Sequence, residues 1–263
     1  MVAKKVKENR INTVISGVTG TMGSELLTAL TRRSEIFCVT GGLCRESSKE
    51  VHFNIDGKKR LPSTRIITST SLEEVEKVDL IIDFSEPNFS LQIMKDALER
   101  KVPILIGTTG HSEDQIREVE AASSNIPILL AANTSIGIAF IKKLLTLSRE
   151  MLSAFEIKRI YEKHHLEKKD SPSGTALDLS SLLKELSNFE YDISIESERN
   201  GESAGEHSII LERKSLRSEA GERIEITHKA QDRSIFAEGA LLAAQWLVSQ
   251  KKGLYSMTDF YLP

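Results

Sequence analysis

Two stretches of this chain gather groups that can do chemistry. The richer one reads Glu162-Lys163-His164-His165-Leu166-Glu167-Lys168-Lys169-Asp170-Ser171-Pro172-Ser173-Gly174-Thr175-Ala176. It leaves a strand-like run, crosses a polar loop and enters a helical pattern at Ser173, Gly174 and Thr175. Ser and Thr cap helix starts, and the N–H groups exposed there attract anions. His164, His165 and Lys168 lie just upstream, so hydrogen-bond donors suited to a carboxylate are concentrated here. An imidazole titrates near neutrality and serves as acid or base. Zinc is the competing chemistry for paired histidines. Adjacent strand residues point to opposite faces, and no cysteine pair is near, so no metal is expected.

The second stretch is Gly17-Val18-Thr19-Gly20-Thr21-Met22-Gly23, between an apolar run and a helical pattern. Glycine permits the turn's backbone angles and lets a diphosphate approach the N–H groups of a helix start. The spacing is G-x-x-G-x-x-G, and its place after a first strand points to dinucleotide binding. The candidate ligands are Gly17, Val18, Thr19, Gly20, Thr21 and Met22. The end of the second strand separates NAD from NADP, through an acid or an arginine. Cys44 stands where the acid would be, Arg45 follows, and Glu46 comes next. Arg45 therefore favours NADPH, and Glu46 keeps NADH open.

These groups need a scaffold, and the first half of the chain supplies one. Apolar strand runs at 12–17, 36–42, 79–85, 103–109 and 127–133 alternate with helical patterns, including 88–100 and one opened by Ser112. Continuously apolar strands are those covered by helices on both faces of a parallel sheet. The pattern predicts an α/β fold with an N-terminal doubly wound, Rossmann-like parallel sheet, whose ligands sit at the carboxyl ends of the strands. After about residue 136 the pattern changes. A helix over 136–152 precedes strand-like runs at 155–165, 191–198, 206–213 and 222–229, with one helix at 175–187. This predicts a C-terminal α+β domain with an open mixed sheet, its apolar face covered by the long helix or by a partner subunit. A last helix, 235–248, is expected to return to the first domain. The expected domains are 1–135 with 234–263, binding dinucleotide, and 136–233, binding substrate and mediating oligomerisation.

Composition narrows the class. The 263 residues carry a net charge of −3 with 40% hydrophobic and 28% charged side chains, which reads as an ordinary soluble globular protein with no nucleic-acid partner. No apolar run reaches the roughly 20 residues of a membrane helix. Cys38 and Cys44 read as reduced thiols. A cytoplasmic protein without a membrane partner is expected.

The catalytic stretch resembles the signature E-x-H-H-x-x-K-x-D-x-P-S-G-T-A of the 4-hydroxy-tetrahydrodipicolinate (dihydrodipicolinate) reductases of lysine and diaminopimelate synthesis. Further matches are Asp83-Phe84-Ser85, Gly107-Thr108-Thr109-Gly110, Ala131-Ala132-Asn133 with Ser135 and Gly137, Arg199 with Gly201, Gly205-Glu206-His207, and Thr227-His228-Lys229-Ala230 through Arg233. The resemblance implies an NAD(P)H-dependent reduction of a cyclic hydroxy-imine dicarboxylate, which loses water and takes up hydride and a proton. It implies His164 as acid/base, Lys168 as proton donor, and His165, Gly174 and Thr175 as carboxylate grips. It also implies that Gly107, Thr108, Thr109, Ala131, Ala132, Asn133 and Thr134 line the nicotinamide side, and that the chain forms a homotetramer through its second sheet. Three positions depart from the family: Thr21 replaces a common arginine, Thr134 a phenylalanine and Arg159 a glutamate. Competing readings are another nicotinamide dehydrogenase of aspartate-family metabolites and a non-catalytic dinucleotide sensor; the latter would not need His164 and Lys168.

Overall fold

A computed structural model describes residues 10–44, 68–69, 71–168, 170–187, 192–201, 203–214 and 221–260. The chain divides into two compact units, Met1–Thr134 with Phe236–Pro263, and Ser135–Ile235. No helix among the described residues is long and apolar enough to cross a membrane.

The first unit is a seven-stranded sheet built from β1 (Ile11–Ser16), β2 (Phe37–Leu43), β3 (Thr68–Ser69), β4 (Leu80–Asp83), β5 (Ile104–Ile106), β6 (Pro127–Leu130) and β11 (Gly253–Tyr255). The order is β11-β6-β5-β4-β1-β2-β3, and every pairing is parallel. Strand order reverses between β1 and β4, where an open α/β sheet forms its ligand crevice. Val14, Ile81, Ile104 and Ile128 join Ile93 of α2 (Pro87–Arg100) and Val119 of α3 (Glu113–Ser123) in one buried core. Burial on both faces explains the unbroken apolar runs. Ser112 opens α3 with a reciprocal capping box to Gln115. Strand β11 went unread in the sequence, because a three-residue edge strand carries no period.

The second unit is a four-stranded sheet in the order β10-β9-β7-β8. Its strands are β7 (Glu156–His164), β8 (Ser194–Arg199), β9 (Gly205–Lys214) and β10 (Gly221–Ala230). β7 runs parallel to β8 and antiparallel to β9, so the sheet is mixed. One face is covered by two helices, α4 (Ile136–Leu147) and α6 (Gly174–Ser187), through Ile141, Leu145, Leu179 and Leu183 packed on Ile157, Ile160, Ile209 and Leu211. Two helices of the same chain thus share the cover expected from one long helix or from a partner subunit. A Lys142–Asp178 ion pair at 2.8 Å joins the two helices. The helix expected over 136–152 is broken at Ser148, after which α5 spans Arg149–Leu152. Ser148 Oγ donates to the Leu144 carbonyl at 2.8 Å, the local bond by which serine competes with the helix ladder. The apolar period runs through the break, so the pattern alone did not reveal it.

Candidate active site

The alternation of β7 sets the chemistry. After an irregularity between Ile157 and Arg159, residues 160, 162 and 164 are the buried ones. Ile160 packs in the core, and Glu162 and His164 continue the same face at the spacing of two that a strand requires. Glu162 Oε2 accepts from Nδ1 of His164 in a short contact. Oε1 lies 2.9 Å from Nη1 of Arg199, the register partner of His164 on β8. Burial opposes ionisation of Glu162, yet hydrogen bonds from Ser197 and Arg199, with His164 beside them, hold its carboxyl below its ordinary value. Burial pushes His164 down, against the pull of Glu162. The imidazole is therefore neutral at neutral pH, with its proton on Nδ1 and its lone pair on Nε2. A Cβ on Gly205 would sit 3.0 Å from that Nε2, so glycine keeps the space open.

A second imidazole completes the cluster. His207 on β9 meets His164 edge-on, with centroids 5.0 Å apart. Its Nε2 lies 3.1 Å from Ser173 Oγ, and Ser173 Oγ accepts from the Ala176 N–H at 3.2 Å, capping α6. The chain Arg199–Glu162–His164, with His207 beside it, thus links the sheet to the helix start. His228, opposite His207 on β10, holds Ser135, the N-cap of α4, at 2.9 Å. Among the described residues, Glu162, His164 and His207 are also the one group whose ligand atoms lie close enough to hold a metal, within 4.8 Å of one another. The metal reading of the sequence concerned the pair His164 and His165, and the structure separates these two. Each member of the three-residue group already holds a protein partner.

Past the strand, His165 Nε2 accepts from Arg233 Nη2 at 2.9 Å. Burial and Arg233 lower His165, so it too is neutral. Lys168 Nζ lies 2.9 Å from Asp170 Oδ1. Gly174 and Thr175 form the first turn of α6. His164, His165, Lys168, Gly174 and Thr175 all belong to the second unit.

Burial of these imidazoles makes stability depend on pH. Burial and then His164 push His207 down to about 3. Unfolded, it titrates near 6.5. Between those values the unfolded chain binds a proton that the folded chain refuses. Stability is therefore full above pH ~6.5 and falls by about 1.4 kcal/mol per pH unit below it. His164, His165 and His228, each lowered chiefly by burial, act in the same direction. Glu162, held low, adds its loss only beneath the ordinary carboxylate range. Urea midpoints at pH 7.5 and 5.5 should differ, and His207→Gln should shrink the difference. Equal midpoints would refute the account.

In the first unit the glycine turn joins β1 to α1 (Thr21–Arg32). Gly17 has φ +77, and a Cβ there would lie 2.1 Å from the Phe84 carbonyl oxygen. A Cβ on Gly23 would lie 2.3 Å from the Gly17 oxygen. Gly20 is the N-cap and offers no side-chain acceptor, and the first turn carries no acid. Thr19, Gly20 and Thr21 are exposed, Met22 is half-buried, and Val18 is buried in the core. Uncapped, exposed N–H groups without a nearby carboxylate fit a diphosphate. Arg45 and Glu46 lie outside the described residues.

The neighbouring strand ends are tied together. Buried Asp83 accepts from Thr108 Oγ1 and from Ser85 Oγ, each at 2.6 Å, and the Ser85 N–H donates to Thr108 Oγ1 at 2.8 Å. The Thr108 side chain thus braces the end of β4 to the end of β5. Gly107 packs under the Phe84 ring, where a Cβ would lie 2.4 Å away. Thr109 and Ala132 are exposed, Asn133 is half-buried and Ala131 is buried. Buried Thr134 donates to the Phe236 carbonyl at 2.7 Å, fastening the point where the chain leaves the unit to the point where it returns.

Residues 11–134 match the family model for the dihydrodipicolinate reductase N-terminus, and residues 137–261 match that for the C-terminus. The chain belongs to the dihydrodipicolinate reductase family. It is 33% identical over 262 residues to the 4-hydroxy-tetrahydrodipicolinate reductase of Colwellia psychrerythraea, covering 95% of this chain and 97% of that one. It is 35% identical over 265 residues to that of Caldanaerobacter subterraneus, with the same coverage. A dipicolinate-bound dihydrodipicolinate reductase from Paenisporosarcina shares the fold, with a TM-score of 0.72 at 22% identity over 96% of this chain and all of that one. The sequence reading assigned no role to Glu162, Arg199, His207 or Arg233. The spacing of Glu162 two before His164 on a strand was the available signal. Arg199 and His207 arrive from other strands.

Proposed function

We propose that this chain reduces 4-hydroxy-tetrahydrodipicolinate with a nicotinamide dinucleotide, using the Glu162–His164 pair and Lys168 for proton movement. The observation that carries the residue assignment is the His164 imidazole, whose Nδ1 proton is committed to Glu162 on the strand leading into the Lys168 loop. Membership of the family supports the reaction.

A bound reduced nicotinamide supplies the hydride. Gly17, Val18, Thr19, Gly20, Thr21 and Met22 form the turn that receives the diphosphate; the Gly17 and Val18 N–H groups donate to the Leu43 carbonyl and that of Gly20 to the Gly17 carbonyl, so the start of α1 at Thr21 and Met22 supplies the donors. Gly107, Thr108, Thr109, Ala131, Ala132, Asn133 and Thr134 line the nicotinamide side. His165, Gly174 and Thr175 grip the substrate carboxylates. The Nε2 of neutral His164 takes a ring C–H proton and returns it to the departing hydroxide, which leaves as water, and Glu162 stabilises the imidazolium formed between the two transfers. The Lys168 ammonium balances charge as hydride arrives and delivers the proton that completes the reduction. NADPH is the preferred donor in this reading, on the strength of Arg45; Thr21 adds no charge to that choice. A cytoplasmic homotetramer built on the second sheet completes it, since β10 offers a ten-residue edge with Glu222, Arg223, Ile224 and Glu225 exposed.

The test couples pyruvate, aspartate semialdehyde and the preceding synthase to this protein and compares NADPH with NADH consumption. Absence of substrate-dependent oxidation of either overturns the reading. Gly20→Asp puts a negative charge at the N-cap of α1, where a Cβ meets no atom nearer than the Gly17 oxygen at 3.2 Å. Folding should survive while NADPH affinity drops at least about tenfold. Fluorescence titration of NADPH reads the loss, and unchanged affinity would remove the diphosphate from this turn.

A further inference from the structure

Asp83 is a buried acid that the chemistry above leaves unused. It ends β4 beside the point where the strand order reverses, and its side chain is fully buried. Oδ2 accepts from Thr108 Oγ1 and Oδ1 from Ser85 Oγ, each at 2.6 Å. Thr108 Oγ1 already accepts the Ser85 N–H at 2.8 Å, so its own proton is committed to the carboxylate. The Gly107 N–H donates to the main-chain carbonyl of Asp83 at 2.8 Å. Between Asp83 and Ser85, Phe84 sets its carbonyl against Gly17 and its ring against Gly107. Residues 83–85 are thus wedged between the glycine turn and the Gly107–Thr109 loop. Among the described residues the carboxylate meets two hydroxyls and no cation. Tying two strand ends together needs only acceptors, which a neutral amide or hydroxyl also supplies. A buried charge without a counter-charge is costly, and its place at the ligand crevice points to a cation that comes with the ligand.

We propose that Asp83 is a positioning residue that holds the Gly107–Thr108 turn and whose charge favours the oxidised nicotinamide over the reduced one. The inference rests on the assignment of Gly107, Thr108 and Thr109 to the nicotinamide side. Hydride, one proton with two electrons, passes from the neutral dihydropyridine ring to a carbon of the substrate and leaves the ring with a single positive charge. The Asp83 carboxylate is fixed by Thr108 and Ser85 before that charge appears, so it needs no reorganisation to meet it. Burial keeps water from screening its field.

Calorimetric titration of NADP⁺ and fluorescence titration of NADPH test this on the full chain. Asp83→Asn removes the charge and keeps the shape. It should weaken NADP⁺ by about three- to tenfold, the scale of one partly screened unit charge, and leave NADPH within about twofold. A residue that merely braces the loop moves the two affinities together; that result, or no change, overturns the proposal. Asp83→Thr, uncharged and able to bond the same hydroxyls, is the second variant and should shift the ratio likewise. Ser85→Ala loosens the brace and keeps the charge, so its ratio should stay at the wild-type value; a ratio shifted there as far as in Asp83→Asn would credit the brace and overturn the role of the charge. Thr109→Trp separates the two levels of the argument, since Thr109 is exposed on the same loop. If it leaves both affinities intact, the loop does not face the nicotinamide and the inference falls with that assignment. If it weakens binding while both Asp83 variants leave the ratio unchanged, only the role of Asp83 is wrong.

Discussion

Lys168→Ala and His164→Ala should each lower kcat by about 10²–10⁴-fold, the usual range for a lost acid–base group. At about 1.4 kcal/mol of barrier per factor of ten, that is roughly 3–5 kcal/mol for each side chain. The reasons differ. Lys168 loses both a proton and a cation, so its loss should fall on the reduction step. His164 is neutral, with its proton committed to Glu162, so its variant should fail at proton removal. His164→Gln keeps a donor toward Glu162 without a titratable base, and should recover the fold but not the rate. Single-turnover NADPH oxidation in each variant makes the measurement. Near-wild-type turnover in both would end the role assignment.

The second large effect concerns stability. Glu162 is fully buried, and its two oxygens face the His164 Nδ1 and the Arg199 guanidinium. Glu162→Ala leaves a largely buried guanidinium without its counter-charge, and breaking a buried pair in this way costs about 3–5 kcal/mol. Arg199 keeps two neutral partners, the Glu198 and Asp170 carbonyls, which moderates the loss without replacing the charge. Urea unfolding should show a lower midpoint at an unchanged slope. Glu162→Gln, which retains shape and one acceptor, should recover part of the stability while leaving His164 without a carboxylate. A loss under about 1 kcal/mol for Glu162→Ala would place the pair among weak surface interactions instead.

Much of this was legible in residue order. Runs such as Leu80–Asp83 and Ile104–Ile106 are buried on both faces, so apolarity itself marks them as parallel strands. The glycine turn was legible because a positive φ and a close carbonyl exclude side chains at Gly17. The candidate catalytic loop stood out because His164, Lys168, Ser173 and Gly174 lie within eleven consecutive residues. Short-range geometry, with a period of two along β7 and a cap at α6, already places them on one surface.

What the order of residues did not decide is who meets whom across the sheet. His207 comes 43 residues after His164 and Arg199 comes 35 after it, and only strand pairing sets them beside Glu162 and His164. The same holds for Thr134 with Phe236 and for Asp83 with Thr108. Hydrogen-bonding capacity belongs to each residue type, but register and burial arise from the whole packed unit. Local chemistry therefore named the reactive groups, while tertiary structure chose their protonation and their partners, because burial is a property that no single segment possesses.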